Sequence, residues 1–88
     1  MKNIGILGST GSIGRQTLDI VSESISKYSI EYLTTNSNIE LLFKQVKLYK
    51  PKQIHINNYD SYLVAKENID KDIEILHTKD ELKSLIQS

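Results

Sequence analysis

Lys2 to Leu7 is a short apolar run that ends in Gly8, and its length and flanks predict a buried strand. From Ser12 the period changes. Ile13, Thr17, Ile20, Val21 and Ile25 recur at helical spacing, which predicts an amphipathic helix from Ser12 to about Ser24. Tyr28 to Leu33 alternates and is rich in strand formers, a second strand. Thr34 to Asn38 is a polar break. Ile39, Leu42, Phe43, Val46 and Tyr49 then form the stripe of a second helix, capped by Ser37 or Asn38 and ended by Pro51. Gln53 to Ile56 is a third strand and Asn57-Asn58 a turn. Ser61 to Lys66 is a short helix, Ile73 to Leu76 a fourth strand, and Lys79 to Gln87 a last helix with Leu82, Leu85 and Ile86 on one face.

The order βαβαβαβα predicts an α/β fold, a Rossmann-like parallel sheet with helices on both faces. A complete dinucleotide-binding fold has six strands in two halves. Residues 1–88 supply the first half and a little more, so the expectation is an incomplete domain at the start of a longer protein.

Composition narrows the chemistry. The chain of 88 residues has no cysteine, which removes disulfides, a thiolate nucleophile and Cys-ligated metal sites. Lys plus Arg is 11 and Asp plus Glu is 11, a zero formal net charge. That balance excludes a nucleic-acid or anionic-membrane binder driven by bulk charge. No run of 18 apolar residues and no signal-peptide pattern occurs, and the expected location is the cytoplasm. The acidic Asp60, Asp70, Asp72, Asp80 and Glu81 read as turn and cap residues. His55 and His77 read as packed or solvated rather than catalytic. Tyr28, Tyr32 and Tyr49 fall at core-facing spacing, with Tyr59 and Tyr62 partly exposed.

The candidate chemistry is at the start. Glycines occur only at 5, 8, 11 and 14. Gly8-Ser9-Thr10-Gly11-Ser12-Ile13-Gly14 follows the first strand and opens the first helix, the context that a phosphate-cradling turn requires. Gly8 allows the sharp exit from the strand, Gly11 a close approach of backbone to a pyrophosphate, and Gly14 close packing of helix on sheet. Amides around Thr10 to Ile13 point at the anion at the helix N-terminus, and Ser9, Thr10 and Ser12 add hydroxyls. The simpler reading is a tight strand-to-helix turn without a ligand. It is not a Walker loop, since Arg15-Gln16 follows the last glycine. Arg15 either assists the anion or pairs with Asp19 one helical turn on.

About 20 residues past the last glycine, NAD enzymes place an acid on the ribose 2′-hydroxyl. This chain has Thr34-Thr35-Asn36-Ser37-Asn38 and no acid. Nothing there repels a 2′-phosphate, and Ser37 and Asn38 can donate to it, which favours NADP over NAD.

The glycine loop followed by Thr17-Leu18-Asp19-Ile20-Val21 resembles the N-terminus of the 1-deoxy-D-xylulose 5-phosphate reductoisomerase family. Asn38, Leu42, Gln45, Tyr49 and Pro51 resemble its pattern across the second helix. The resemblance runs from Lys2 to about Ile56 and is weak beyond. It implies an enzyme that rearranges 1-deoxy-D-xylulose 5-phosphate and reduces it to 2-C-methyl-D-erythritol 4-phosphate, a step toward isoprenoid precursors. It also implies NADPH as cofactor, a divalent metal (Mg or Mn) whose ligands lie beyond residue 88, a sugar phosphate substrate and a homodimer when full length. Thr10, Gly11, Ser12 and Ile13 would contact the cofactor phosphates, and Asn36, Ser37 and Asn38 the adenosine end. The family commonly has Gly-Lys-Asn where this chain has Asn36-Ser37-Asn38, so the lysine that would pair with a 2′-phosphate is absent. Two alternatives stand beside this reading. One is another NADP-dependent reductase with a GxxGxxG loop. The other is a stand-alone dinucleotide-binding regulatory module.

Overall fold

The structure is a computed structural model that describes residues 1–87. The last residue of the expected 1–88 domain, Ser88, lies outside the described residues. Strand β1 (Lys2–Ile6) leads through the glycine loop into helix α1 (Ser12–Ser22), and a 3-10 turn (Ile25–Lys27) leads into β2 (Tyr28–Thr35). Then follow α2 (Ile39–Tyr49), β3 (Gln53–Ile56), α3 (Tyr59–Asn68), β4 (Glu74–Leu76) and α4 (Lys79–Gln87). The sheet is parallel with order β1-β2-β3-β4.

Successive strands step in one direction, so right-handed crossovers put α1, α2 and α3 on one face. Leu18 and Val21 of α1, Leu42 and Val46 of α2 and Ala65 of α3 share a core with Ile6, Ile30, Leu33, Ile54 and Ile56 of the strands. The register supports this: Ile6 pairs with Leu33 and Leu33 with Ile54, one lateral row of aliphatic side chains. The opposite face is polar. There His55, buried, meets the Thr78 carbonyl at the start of α4 through Nε2 at 2.8 Å. Leu85 of α4 is buried outside the main core cluster.

Several expectations shift. β2 runs two residues further than its alternation predicts, because Thr34 and Thr35 pair with His55 and Ile56 of β3. The buried stripe of α1 is Gly14, Leu18 and Val21, while Ile13 and Ile20 are 78% and 67% exposed. The contact of Gly14 with the loop fixes the rotation of the helix and turns the isoleucines outward. Ile25 falls in the 3-10 turn and is also exposed. Register slips between Ile4 and Gly5: Ile4 pairs with Ile30, but Gly5 pairs with Tyr32. Glu31 is thus the extra residue of a bulge, and Tyr32 turns to the polar face, where a Cβ on Gly5 would overlap its ring. Tyr32 is not a core residue, whereas Tyr28 and Tyr49 pack against the core. The third helix begins two residues earlier and ends two later than its pattern predicts, with Asn58 as its cap. The fourth strand loses Ile73, and Ile86 of α4 is exposed while Leu85 is buried.

Candidate functional site

The site lies at the carboxyl ends of the parallel strands, where open α/β sheets bind ligands. It starts with Gly8. Its φ of 63° is left-handed, which glycine adopts at no steric cost, and it turns the chain sharply out of β1. Gly11 is different. Its φ of −78° and ψ of 173° are extended and open to any residue, so the backbone conformation there does not demand glycine. At Gly14 a Cβ would overlap the Gly8 carbonyl oxygen and come within 2.6 Å of Ser9 Cα. Only glycine lets α1 start this close to the strand exit.

Helix α1 has no side-chain cap at Gly11 and no acid in its first turn. Its first intrahelical bond runs from Arg15 N–H to the Gly11 carbonyl at 2.9 Å. The Ser12, Ile13 and Gly14 amides therefore have no intrahelical acceptor. The other three helices carry side-chain caps. Asn38 Oδ1 accepts from Leu41 N–H at 3.3 Å, Asn58 Oδ1 from Ser61 N–H at 2.9 Å and Thr78 Oγ1 from Glu81 N–H at 3.1 Å. The bare terminus of α1 is thus the one α-helix start among the described residues without a side-chain cap, which leaves its donors for an external anion, and the helix dipole adds to their pull.

The hydroxyls of the loop divide. Ser9 is fully buried and donates through Oγ to Gln45 Oε1 at 2.7 Å, so the expectation that it faces an anion is corrected. Its side chain serves the scaffold because the loop folds inward between β2 and α2. Thr10 Oγ1 shares a hydrogen bond of 2.6 Å with Thr35 Oγ1, which leaves its backbone and its part-exposed surface for a ligand. Ser12 is exposed at the first position of α1. Gly8 N–H donates to Thr34 Oγ1 at 2.8 Å and Ser9 N–H to the Thr34 carbonyl at 2.9 Å. Thr34, Thr35 and Gln45 are thus the functional supports that sequence reasoning missed as such. Gln45 carries a signal: an amide between Leu42 and Val46 on an apolar stripe demands an internal partner.

Asn36, Ser37 and Asn38 form the exposed tip beyond β2. Asn36 Oδ1 accepts from Asn57 Nδ2 at 3.0 Å, which ties the tip to the end of β3, and Asn38 Oδ1 caps α2. In both residues the amide nitrogen remains a donor. The Ser37 carbonyl accepts from Ile39 N–H at 2.8 Å, and its hydroxyl is at the surface. Arg15 and Asp19 do not pair. The ion pair among the described residues is Lys52 with Glu31, at 3.4 Å. His77 stacks on Tyr62 with ring centroids 4.8 Å apart, and no three His, Asp or Glu side chains cluster as a metal site among the described residues.

The family model for 1-deoxy-D-xylulose 5-phosphate reductoisomerase matches residues 4–88, well past Ile56, where the resemblance read from the residues weakens. The reductoisomerase of Caldanaerobacter subterraneus subsp. tengcongensis is 42% identical over 87 residues, which is 99% of this chain and 23% of that protein. That of Porphyromonas gingivalis is 46% identical over 66 residues, 75% of this chain and 17% of that protein. Among solved structures, the Zymomonas mobilis enzyme in complex with NADPH superposes with a TM-score of 0.86 at 30% identity, covering 94% of this chain and 22% of that one. A reductoisomerase structure with fosmidomycin and magnesium has a TM-score of 0.88 at 28% identity, over 97% of this chain and 22% of that one. The chain spans less than a quarter of the length of the curated relatives it matches. With a match over nearly all of its length, the chain belongs to the 1-deoxy-D-xylulose 5-phosphate reductoisomerase family.

Proposed function

We propose that residues 1–88 are the N-terminal part of the NADPH-binding domain of a 1-deoxy-D-xylulose 5-phosphate reductoisomerase. In this reading the whole enzyme converts its sugar phosphate to 2-C-methyl-D-erythritol 4-phosphate, and catalytic and C-terminal domains complete it. The observation that carries the reading is the uncapped start of α1 directly beyond a left-handed glycine turn. The residues present fit the cofactor. Exposed amides of Ser12 and Ile13 and the small Gly11 suit a pyrophosphate, and no carboxylate lies between residues 3 and 18.

When bound, NADPH supplies the hydride for the reduction. The chain's own residues bind and orient it. Thr10 to Ile13 hold the pyrophosphate, Ser37 donates its hydroxyl to the 2′-phosphate, and Asn36 and Asn38 offer amide N–H groups beside it. Neutral donors at this tip replace the lysine common in the family. The solved relatives with magnesium support a divalent metal in the whole enzyme. Its ligands and the sugar phosphate site lie outside these residues, so the 88-residue chain alone has no reductoisomerase activity. The test is titration of the complete polypeptide that carries these residues with NADPH, followed by nicotinamide fluorescence. Saturable binding is expected; its absence overturns the reading.

A further inference from the structure

Gln45 stands on α2, 36 positions along the chain from Ser9, and is only 5% exposed. It grips Ser9 in two directions. Ser9 Oγ donates to Gln45 Oε1 at 2.7 Å, and Gln45 Nε2 donates to the Ser9 carbonyl at 2.8 Å. The Ser9 carbonyl can only accept, which fixes the orientation of the amide. From the other side Thr34 takes Gly8 N–H on its hydroxyl and Ser9 N–H on its carbonyl. Residues 8 and 9 are therefore held by β2 and α2 just before the chain opens its free amides at Ser12 and Ile13. The Gln45 side-chain atoms bond inward to Ser9 rather than to the anion site.

We propose that Gln45 is a positioning residue for the cofactor. By clamping Ser9 it sets the direction of the free Ser12 and Ile13 amides and governs affinity for the pyrophosphate without touching it. The inference rests on the dinucleotide reading of the loop. Glutamine suits the task because its amide carries one acceptor and two donor hydrogens on adjacent atoms, matched to a hydroxyl and a carbonyl of one residue. Glutamate has the same shape but only acceptors when ionised, so a carboxylate would face the Ser9 carbonyl. Protonated, it regains a donor. Leucine makes neither bond.

The experiment uses the complete polypeptide with Gln45→Leu, Gln45→Glu and Ser9→Ala, and two probes, NADPH and adenosine 2′-phosphate. The second probe carries the group for residues 36–38 but no pyrophosphate. Gln45→Leu is expected to bind NADPH about ten- to a hundredfold more weakly, the loss of one to two buried hydrogen bonds, with adenosine 2′-phosphate affinity unchanged. Ser9→Ala weakens NADPH in the same direction, and the double variant is no worse than Gln45→Leu. Gln45→Glu binds NADPH poorly at about pH 8 and recovers toward the parent, compared at each pH, as the pH falls to about 5. Equal loss of both probes would reveal a purely structural role and overturn the proposal, as would parental NADPH affinity in Gln45→Leu. If Gln45→Leu does not fold, a Gln45→Glu affinity that tracks the parent at every pH overturns it alone. A parent that binds no NADPH removes the dinucleotide reading itself, a result distinct from any difference among variants.

Discussion

Gly14→Ala is the substitution that the packing of the loop makes most costly for its size. An added Cβ would overlap the Gly8 carbonyl oxygen, approach Ser9 Cα to 2.6 Å and Gly8 C to 2.9 Å. All three atoms belong to backbone, so no side chain can swing away. The loop itself is pinned by the bonds of Gly8 and Ser9 to Thr34 and of Ser9 to Gln45. Relief requires α1 to move off the strand exit, which disturbs Leu18 and Val21 in the core and misdirects the Ser12 and Ile13 amides. Overpacking of this kind costs about 1–3 kcal/mol, against a gain of below about 1 kcal/mol from replacing a helical glycine with alanine. Gly11→Ala is the control. Its Cβ lies 3.3 Å from the Gly8 carbonyl oxygen, a tight contact without overlap, and the backbone there is extended, so it costs less stability than Gly14→Ala. Thermal unfolding and NADPH titration of the complete polypeptide separate the two. Gly14→Ala loses both stability and affinity, whereas Gly11→Ala loses less stability than Gly14→Ala and still loses affinity. A Gly14→Ala variant with parental melting temperature and affinity would refute the packing described for the loop.

Three further outcomes follow from other residues. Cofactor choice should favour NADPH by roughly ten- to a hundredfold at most, since Ser37 offers a neutral hydrogen bond to a charged group; Ser37→Lys should strengthen and salt-sensitise the preference, and Ser37→Asp should reverse it in NADPH and NADH titrations. Backbone N–H groups of Thr78 and then His77 hold the Glu81 carboxyl below its ordinary 4.5, in a capping box closed by Thr78. A lowered carboxyl stabilises the fold above pH 4.5 and loses that contribution as the pH falls below it, so Glu81→Gln should flatten the acid side of the stability profile measured by denaturant unfolding. Asn38→Ala removes the cap of α2 beyond β2 and should cost about 1 kcal/mol in the same unfolding measurement.

Element order and most boundaries were legible in the sequence because period and punctuation agreed. Pro51 and Asn57 bracket β3, and Asn38 opens α2 on a regular stripe. The glycine loop was legible as the turn from β1 into α1 because its spacing sits between a strand and a helix. What was not legible depends on contacts distant in the chain. The buried face of α1 is set by Gly14 against Gly8, a contact that hydrophobic periodicity cannot express, so Ile13 and Ile20 look like core and are exposed. Tyr32 leaves the core through a one-residue bulge, which reverses alternation without changing composition. Ser9 reads as a ligand hydroxyl until Gln45, 36 positions away, is brought against it.

In the proposed reading the bare α1 terminus, approached across Gly11, holds the pyrophosphate of NADPH. The direct measurement is NADPH affinity of the complete polypeptide with Gly11→Val against the parent, with helical content followed by circular dichroism. Because Gly11 is extended at φ −78°, valine meets no left-handed strain there, and its side chain occupies the space of the ligand. Saturable binding by the parent, no measurable binding by the variant and unchanged helical content are the predicted result. Equal NADPH affinity in the two proteins would contradict it and leave the glycine to serve the turn alone.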